Sequence, residues 1–502
     1  MESRGIFLNL SPLDHRYSLS SPELYRSLSA ILGEEAAVRY CARVEAALLK
    51  ALLRHTAAPG QPTALDSAAL VDSIDEAAAR IDPAQVYEEE RKTRHNIRAL
   101  VNVMKPLLPP PVRPLLHLGA TSVDILDTAA SLRYRDALRT VVLPLLCDLE
   151  TELVRRCREE ADTPQIGRTH GQHAVPLTFG FALAEYVSRL GESISRIAKA
   201  VGDLRGKLAG AVGAYNATSL LVKDPLALER DVLGSLGLEP SEHSTQLVEP
   251  EYLLRLLLEM NVAFGVIANL ADDLRNLQRT EIDEVREEFA STLVGSSTMP
   301  QKRNPWNSEH VKSLWKAFAP RVMTFFMDQI SDHQRDLTNS ASSRFVSEYL
   351  AGFSLATERM LSVVKSLRVD RARMAANMGR TGDLAFSEAA YVLVALGGDA
   401  EAHERIRTAT LRAEQGQARL VDVLREDPRV WEMIRQRLAA TVGVEPEAFF
   451  SDPSRYSGRA AERAREIAHS HAVRIEALRR ELAASSSAPG GPTPPAGERA
   501  GN

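Results

Sequence analysis

Apolar side chains recur at three- and four-residue intervals along most of the chain. Residues 36–54 and 183–208 carry this spacing clearly, which predicts amphipathic helices. From Glu251 to Leu277 the sequence is apolar on nearly every face until Ala271, and then it turns charged. A helix apolar all round must be surrounded by protein, so this segment is expected at the centre of a bundle and suits one shared between subunits. Alternating Val/Ile/Thr runs between tight turns are scarce, so few strands are expected. The run MKPLLPPPVRP, with Pro106, Pro109, Pro110, Pro111 and Pro114, cannot be regular helix and marks a first boundary. A softer break falls at 366–370. The pattern predicts an almost all-α chain in three helical domains: 1–112, a central long-helix bundle at 113–365, and 366–484. The Ser/Pro/Gly/Ala stretch 485–502 has almost nothing to bury and is expected to be disordered.

Composition narrows the function without naming it. With 502 residues, 61 Lys+Arg and 66 Asp+Glu, the formal net charge is −5, which argues against a protein that coats nucleic acid or anionic membrane. No stretch is uniformly apolar for about 18 residues; even 252–277 is interrupted by Arg255, Glu259, Asn261 and Asn269. MESRGIFLNLSPLDHRYS lacks the apolar core and cleavage site of a secretory leader, so a cytoplasmic location is expected. Cys41, Cys147 and Cys157 have no zinc-ligand spacing and fit buried small side chains in a reducing compartment.

The chemistry is concentrated in a few polar islands. GSSTMPQKRNPWNSE (295–309) is rich in Gly, Ser and Pro, and predicts an irregular, mobile loop. It holds the hydroxyls of Ser296 and Ser297, the cation of Lys302 and the amide of Asn304. That set can remove a proton and neutralise the negative charge that removal creates. His170 and His173 stand three residues apart, a spacing that on a helix would suit a metal pair, but no third ligand has matching spacing and no metal or other cofactor is expected.

GSSTMPQKRNP closely resembles the signature loop of the fumarase/aspartase superfamily, and its neighbours agree in order. HLGATSVDILDT (117–128) and RTHGQHAVP (168–176) resemble that superfamily's two substrate-binding regions. SPLDHRYS, KTRHN (92–96), STQLVEPEY (244–252), HQRDLTNSASSRF (333–345) and RYSGRA (455–460) resemble segments of its adenylosuccinate lyase branch. The resemblance runs from about Ser11 to about Ala460. It departs at His15, where glycine is usual, and at Asn96, where an aspartate of the nucleotide-side pocket is usual; asparagine keeps the shape but loses the charge.

The resemblance implies a β-elimination that releases fumarate from a succinate bearing a nitrogen substituent, as in adenylosuccinate to AMP. It implies Ser296 as the base and His170 as the acid, with Glu309 orienting His170 and His95 nearby. Lys302 and Asn304 would hold the carboxylate that takes up charge. Thr121, Ser122, Thr169 and Gln246 would bind the succinyl carboxylates. Arg16, Tyr17, Arg94, Arg335, Ser340 and Arg344 would form a distal pocket suited to phosphate. It also implies a homotetramer whose sites draw residues from three subunits, with a small dicarboxylate substrate, no nucleic-acid partner and no membrane. Other readings of the same sequence are a specialised paralogue releasing another nitrogen group, such as nitrous acid from nitrosuccinate, a carboxymuconate cycloisomerase, and a non-catalytic relative; the last is disfavoured because Ser296, Lys302 and His170 are all present.

Overall fold

The computed structural model describes residues 5–56, 68–288, 299, 301–416 and 418–486. Ser296 and Ser297, with the rest of 295–298 and residue 300 of the predicted 295–309 loop, and the 487–502 stretch lie outside them. The described chain is almost all α, with three short two-stranded sheets. Helices α1 (Pro22–Leu32), α2 (Glu34–Thr56), α3 (Pro83–Thr93) and α4 (Asn96–Met104) precede the proline-rich stretch, which folds as 3₁₀ turns. Helix α5 (Ser122–Ala137) runs through a π-helical turn, Leu138–Val142, into α6 (Leu143–Glu159). The wide turn lies just before Pro144, whose nitrogen cannot donate back to Thr140.

A hairpin follows, β1 (Pro164–Thr169) antiparallel to β2 (Gln172–Thr178), and leads into α7 (Phe179–Gly202). Helix α8 (Glu251–Leu277) is the central rod. Around it stand α7, α9 (Trp306–Phe318) and α10 (Val346–Ser366). After α11 (Arg371–Thr381), short helices between Ser387 and Phe450 build a core of their own around Phe386, Ile406, Ile434 and Phe450. The last helix, α12 (Ala460–Ser486), returns to the central bundle and packs on α6 and α7. That close approach depends on Gly191 of α7, where a Cβ would stand 2.1 Å from His471 Nδ1. Helices α1 to α4 share one continuous core with the bundle.

Among the described residues α8 alone is long and apolar enough to cross a bilayer, with a mean hydropathy of 1.6 over its best window, yet 56% of that window is buried inside the bundle. Leu256, Leu257, Met260, Phe264 and Ile267 face inward, while Leu258 and Val262, one turn apart, stay 37% and 58% exposed. Cys41, Cys147 and Cys157 are free and buried, and burial pushes their thiols up to about 12, 11 and 12.

Two sequence expectations change. His170 and His173 sit on a hairpin rather than along one helical face, which removes the spacing argument for a metal pair. Within the polar 295–309 segment the described residues 301–305 are irregular, but Trp306 opens α9, so its last part is helix. The buried Glu287 carboxylate makes that start possible: it accepts the backbone N–H groups of Asn307 (3.2 Å) and Ser308 (2.9 Å) and the Ser308 hydroxyl (2.6 Å). A carboxylate placed there satisfies orphan donors at the positive end of the helix.

Candidate active site

Helix α8 has 27 residues, and at 1.5 Å per residue it spans about 40 Å. Several of the described site residues lie towards its two ends, while Arg94 and His95 lie at the junction of α3 and α4.

At its beginning lies the 117–128 segment. Thr121 precedes α5, and its N–H donates to Asp124 (2.9 Å). Asp124 also pairs with Lys207, a lysine with 0% side-chain exposure, and accepts from the Gly210 N–H at 3.2 Å. Lys207 further donates to the Gly210 carbonyl (3.1 Å). A buried charge pair is tolerated only with such additional hydrogen bonds, and here they fix the backbone beside Thr121 and Ser122. One turn on, the Asp127 carboxylate accepts from the Val248 N–H (2.9 Å), which ties α5 to the segment carrying Gln246. Burial pushes the Asp127 carboxyl up to about 6, against the opposing pull of that hydrogen bond and of Lys207. The Gln246 N–H donates to the Gln334 carbonyl (3.2 Å), which brings in the segment of Arg335. Arg335 Nη2 donates to the Asp328 carbonyl (2.8 Å), while its buried Nε has no partner among the described residues. Asp127 and Arg335 share a small cavity of about 130 Å³. Ser340 and Arg344 are exposed on the same segment.

His95 and Arg94 are exposed at the α3–α4 junction. Arg94 takes a left-handed conformation (φ 56°) to end α3. His95 caps α4, its Nδ1 accepting from the Arg98 N–H (3.2 Å). That bond requires the proton on Nε2, which is left free to donate outward. Asn96 spends its amide oxygen on the Ile97 N–H (2.8 Å). Nearby His117 (φ 61°) donates from Nδ1 to the fully buried Glu45 (2.7 Å). Burial alone would lower the imidazole's pKa, but the Glu45 hydrogen bond and charge outweigh it and raise the pKa above 6.5.

The other end of α8 carries the 168–176 segment and the signature segment. His170 (φ 56°) and Gly171 (φ 73°) form the two-residue turn of the β1–β2 hairpin, between the pair Thr169 and Gln172. Two consecutive positive φ values match the twist of antiparallel strands, and they leave Thr169 and His170 exposed at the tip. Lys302, Asn304 and Glu309 line a cavity of about 640 Å³ with Gln278 and Arg279, at the end of α8. Arg279 also lines the neighbouring cavity of about 1020 Å³ that holds Arg168, Gly171 and His173, so hairpin and signature segment share this end. Gln278 Nε2 donates to the Arg303 carbonyl (3.2 Å). Arg16 is exposed, and Tyr17 reaches the signature helix, its hydroxyl 3.0 Å from His310 Nε2. Burial and the charge of Arg359 lower the His310 pKa. Within one protomer, no hydrogen bond joins Glu309 to His170 among the described residues.

One protomer therefore holds Thr121, Ser122, Gln246 and Arg335 on linked segments, and at the other end of α8 gathers Lys302, Asn304 and Glu309 in one cavity, with Tyr17 on His310 and the His170 hairpin beside a neighbouring cavity. Sequence reasoning missed the buried Asp124–Lys207 pair, the Glu45–His117 pair, Glu287 and His310. Asp124 was signalled by its place three residues after Thr121, the spacing of a capping carboxylate; the others come from distant segments that no local pattern links.

The chain matches the family described as "Lyase" over residues 16–319 and the family described as "Adenylosuccinate lyase C-terminal" over residues 331–446. It is 32% identical over 431 residues to the adenylosuccinate lyase of Archaeoglobus fulgidus, covering 85% of this chain and 92% of that one. It is also 32% identical over 444 residues to that of Pyrococcus abyssi, covering 87% and 94%. The fold resembles 3-carboxy-cis,cis-muconate lactonizing enzyme from Pseudomonas putida (TM-score 0.73, 24% identity, 89% and 97% covered) and a fumarate lyase from Mesorhizobium sp. BNC1 (TM-score 0.74, 23% identity, 88% and 97% covered). Motifs, fold and both matched segments agree: the chain belongs to the fumarase/aspartase superfamily, in its adenylosuccinate lyase branch.

Proposed function

We propose that this protein is a fumarate-releasing C–N lyase that splits adenylosuccinate into AMP and fumarate. The observation that carries the reading is the pairing of the lyase segment with the adenylosuccinate lyase C-terminal segment, in one chain that covers more than nine-tenths of the Archaeoglobus fulgidus and Pyrococcus abyssi adenylosuccinate lyases. Ser296 takes the proton from the succinyl carbon next to a carboxylate. The electron pair left behind spreads into that carboxylate, where Lys302 and Asn304 hold the charge. Collapse forms the C=C bond of fumarate and breaks the C–N bond, and His170 delivers a proton to the departing nitrogen. Each proton-transfer partner contributes about 10²–10⁴-fold, and the charge-holding donors often contribute more.

The site is completed by other copies of the chain. The two groups of residues stand towards opposite ends of α8, a rod of 27 residues or about 40 Å, too wide a span for one ligand to bridge. Packing the exposed Leu258–Val262 turn against another protomer's α8, antiparallel, sets the beginning of one rod beside the end of the next. A homotetramer of this kind unites Thr121, Ser122 and Gln246 of one copy with His170 and Lys302 of others, and lets Glu309 reach a neighbour's His170. Arg16, Tyr17, Arg94, Arg335, Ser340 and Arg344 then bind the phosphate side.

Asn96 supports a second reading, in which the leaving group is a small nitrogen species rather than a nucleotide, because the charge usual at that position is missing. Incubation with adenylosuccinate separates the two: efficient release of AMP and fumarate supports the first. Turnover of a small succinate, such as nitrosuccinate, without AMP release supports the second.

A further inference from the structure

Glu284 lies between α8 and the signature segment, and no motif covers it. Its carboxylate is fully buried and accepts from four donors, two on each oxygen. Arg168 Nη2 (2.5 Å) and Asn377 Nδ2 (2.9 Å) reach Oε1, while Gln165 Nε2 (2.8 Å) and Arg168 Nη1 (3.2 Å) reach Oε2. A carboxylate has about four lone-pair directions, and all are occupied. Such a group has no capacity left to take a proton from a substrate, so its role is geometric. Its main chain is held as well: the Glu284 N–H donates to the Leu277 carbonyl, and its carbonyl accepts from the Asp370 N–H, both at 2.9 Å.

Arg168 stands two residues before His170. The strand register shifts between Ile166 and Arg168, and a Cβ on the intervening Gly167 would stand 2.7 Å from the Val175 carbonyl oxygen. Past this bulge only two residue pairs, Arg168 with His173 and Thr169 with Gln172, support the tip. A two-stranded ribbon of that length is marginal by itself, and a bulge changes the direction in which it points. Here the first pair past the bulge is anchored on both strands, Arg168 by Glu284 and His173 by the Thr381 hydroxyl.

We propose that Glu284 is a positioning residue for His170: through the two-pronged contact with Arg168 it sets the direction in which the hairpin presents the imidazole to substrate. This rests on the reading of His170 as the proton donor.

The test is steady-state fumarate release by the full-length assembled enzyme, with adenylosuccinate or with whichever small succinate the unaltered protein turns over. Glu284→Gln keeps the side-chain shape but turns two acceptor directions into donors facing donors. It is expected to lower kcat about tenfold or more while KM stays within about twofold, the signature of an interaction realised in the transition state. In a His170→Gln background the same change should reduce the remaining rate by less than about twofold, because two residues acting as a unit are not additive. An equal loss in both backgrounds, a rise in KM alone, or no effect overturns the inference. Arg168→Lys keeps the charge and loses the fork; should Glu284→Gln not fold, it is read by the same split. If His170→Gln turns over as fast as the unaltered enzyme, the proton-donor reading itself fails; a slow His170→Gln with additive losses removes only the role of Glu284.

Discussion

The two ends of α8 are built in opposite ways. At its beginning the functional backbone rests on buried, paired charges: Asp124 with Lys207, Glu45 with His117, and Asp127 on the Val248 N–H. At its far end His170, Lys302 and Glu309 stand exposed on a hairpin tip and at the mouth of the signature helix. The first end is a finished wall that needs no partner to hold its shape. The second leaves its polar groups at the protomer surface. In the assembly proposed above, in which each copy completes another copy's site, the wall must be rigid before the copies meet.

This contrast predicts that substitutions at the two ends fail differently. The largest effect is expected from Ser296→Ala, which should lower fumarate release by about 10³-fold or more with oligomer size and thermal unfolding unchanged; retained turnover would remove Ser296 as the base. Lys207→Met should act on the fold, leaving Asp124 buried without its countercharge and lowering stability by about 3–5 kcal/mol, read by urea unfolding. A loss of activity without a loss of stability would contradict the description of this end as a preformed wall. Arg335→Ala should raise KM for adenylosuccinate about tenfold or more, a loss of about 1.4 kcal/mol or more of binding, and should affect a small succinate less.

A smaller, pH-dependent effect follows from His117. Its pKa in the folded protein is raised above 6.5, so its contact with Glu45 stabilises the fold fully below that value and less as pH rises through the raised pKa. His117→Gln should flatten this decline in stability above pH 6.5, and an unaltered slope would show that the pair is not coupled to folding. The smallest change is expected at the surface: Arg459 and Glu462 are both more than half exposed on their side chains, where solvent screens an ion pair, and Arg459→Ala should leave the melting curve nearly in place.

The helical architecture was legible in the sequence wherever burial followed one face of a helix, as in α2 and α7, because apolar spacing reports burial directly. The signature segment was legible for a different reason: its glycine, serines, lysine and prolines form a long and unusual string. The β1–β2 hairpin was not, since Gln, Arg, Thr and His make a weak strand pattern, and its tip turns on His-Gly rather than on the commoner Asn-Gly. The helical start at Trp306 was equally hidden, because the carboxylate that stabilises it comes from Glu287 in a separate segment.

From the sequence alone came the helices, the chemistry of the polar islands and the family to which they belong, because periodicity and local residue type are properties of neighbours along the chain. The tertiary structure decided which islands share an end of α8 and which charges are sealed behind them. Those outcomes depend on contacts between residues a hundred or more positions apart, such as Asp127 with Val248 and Glu284 with Arg168, and no local pattern encodes them.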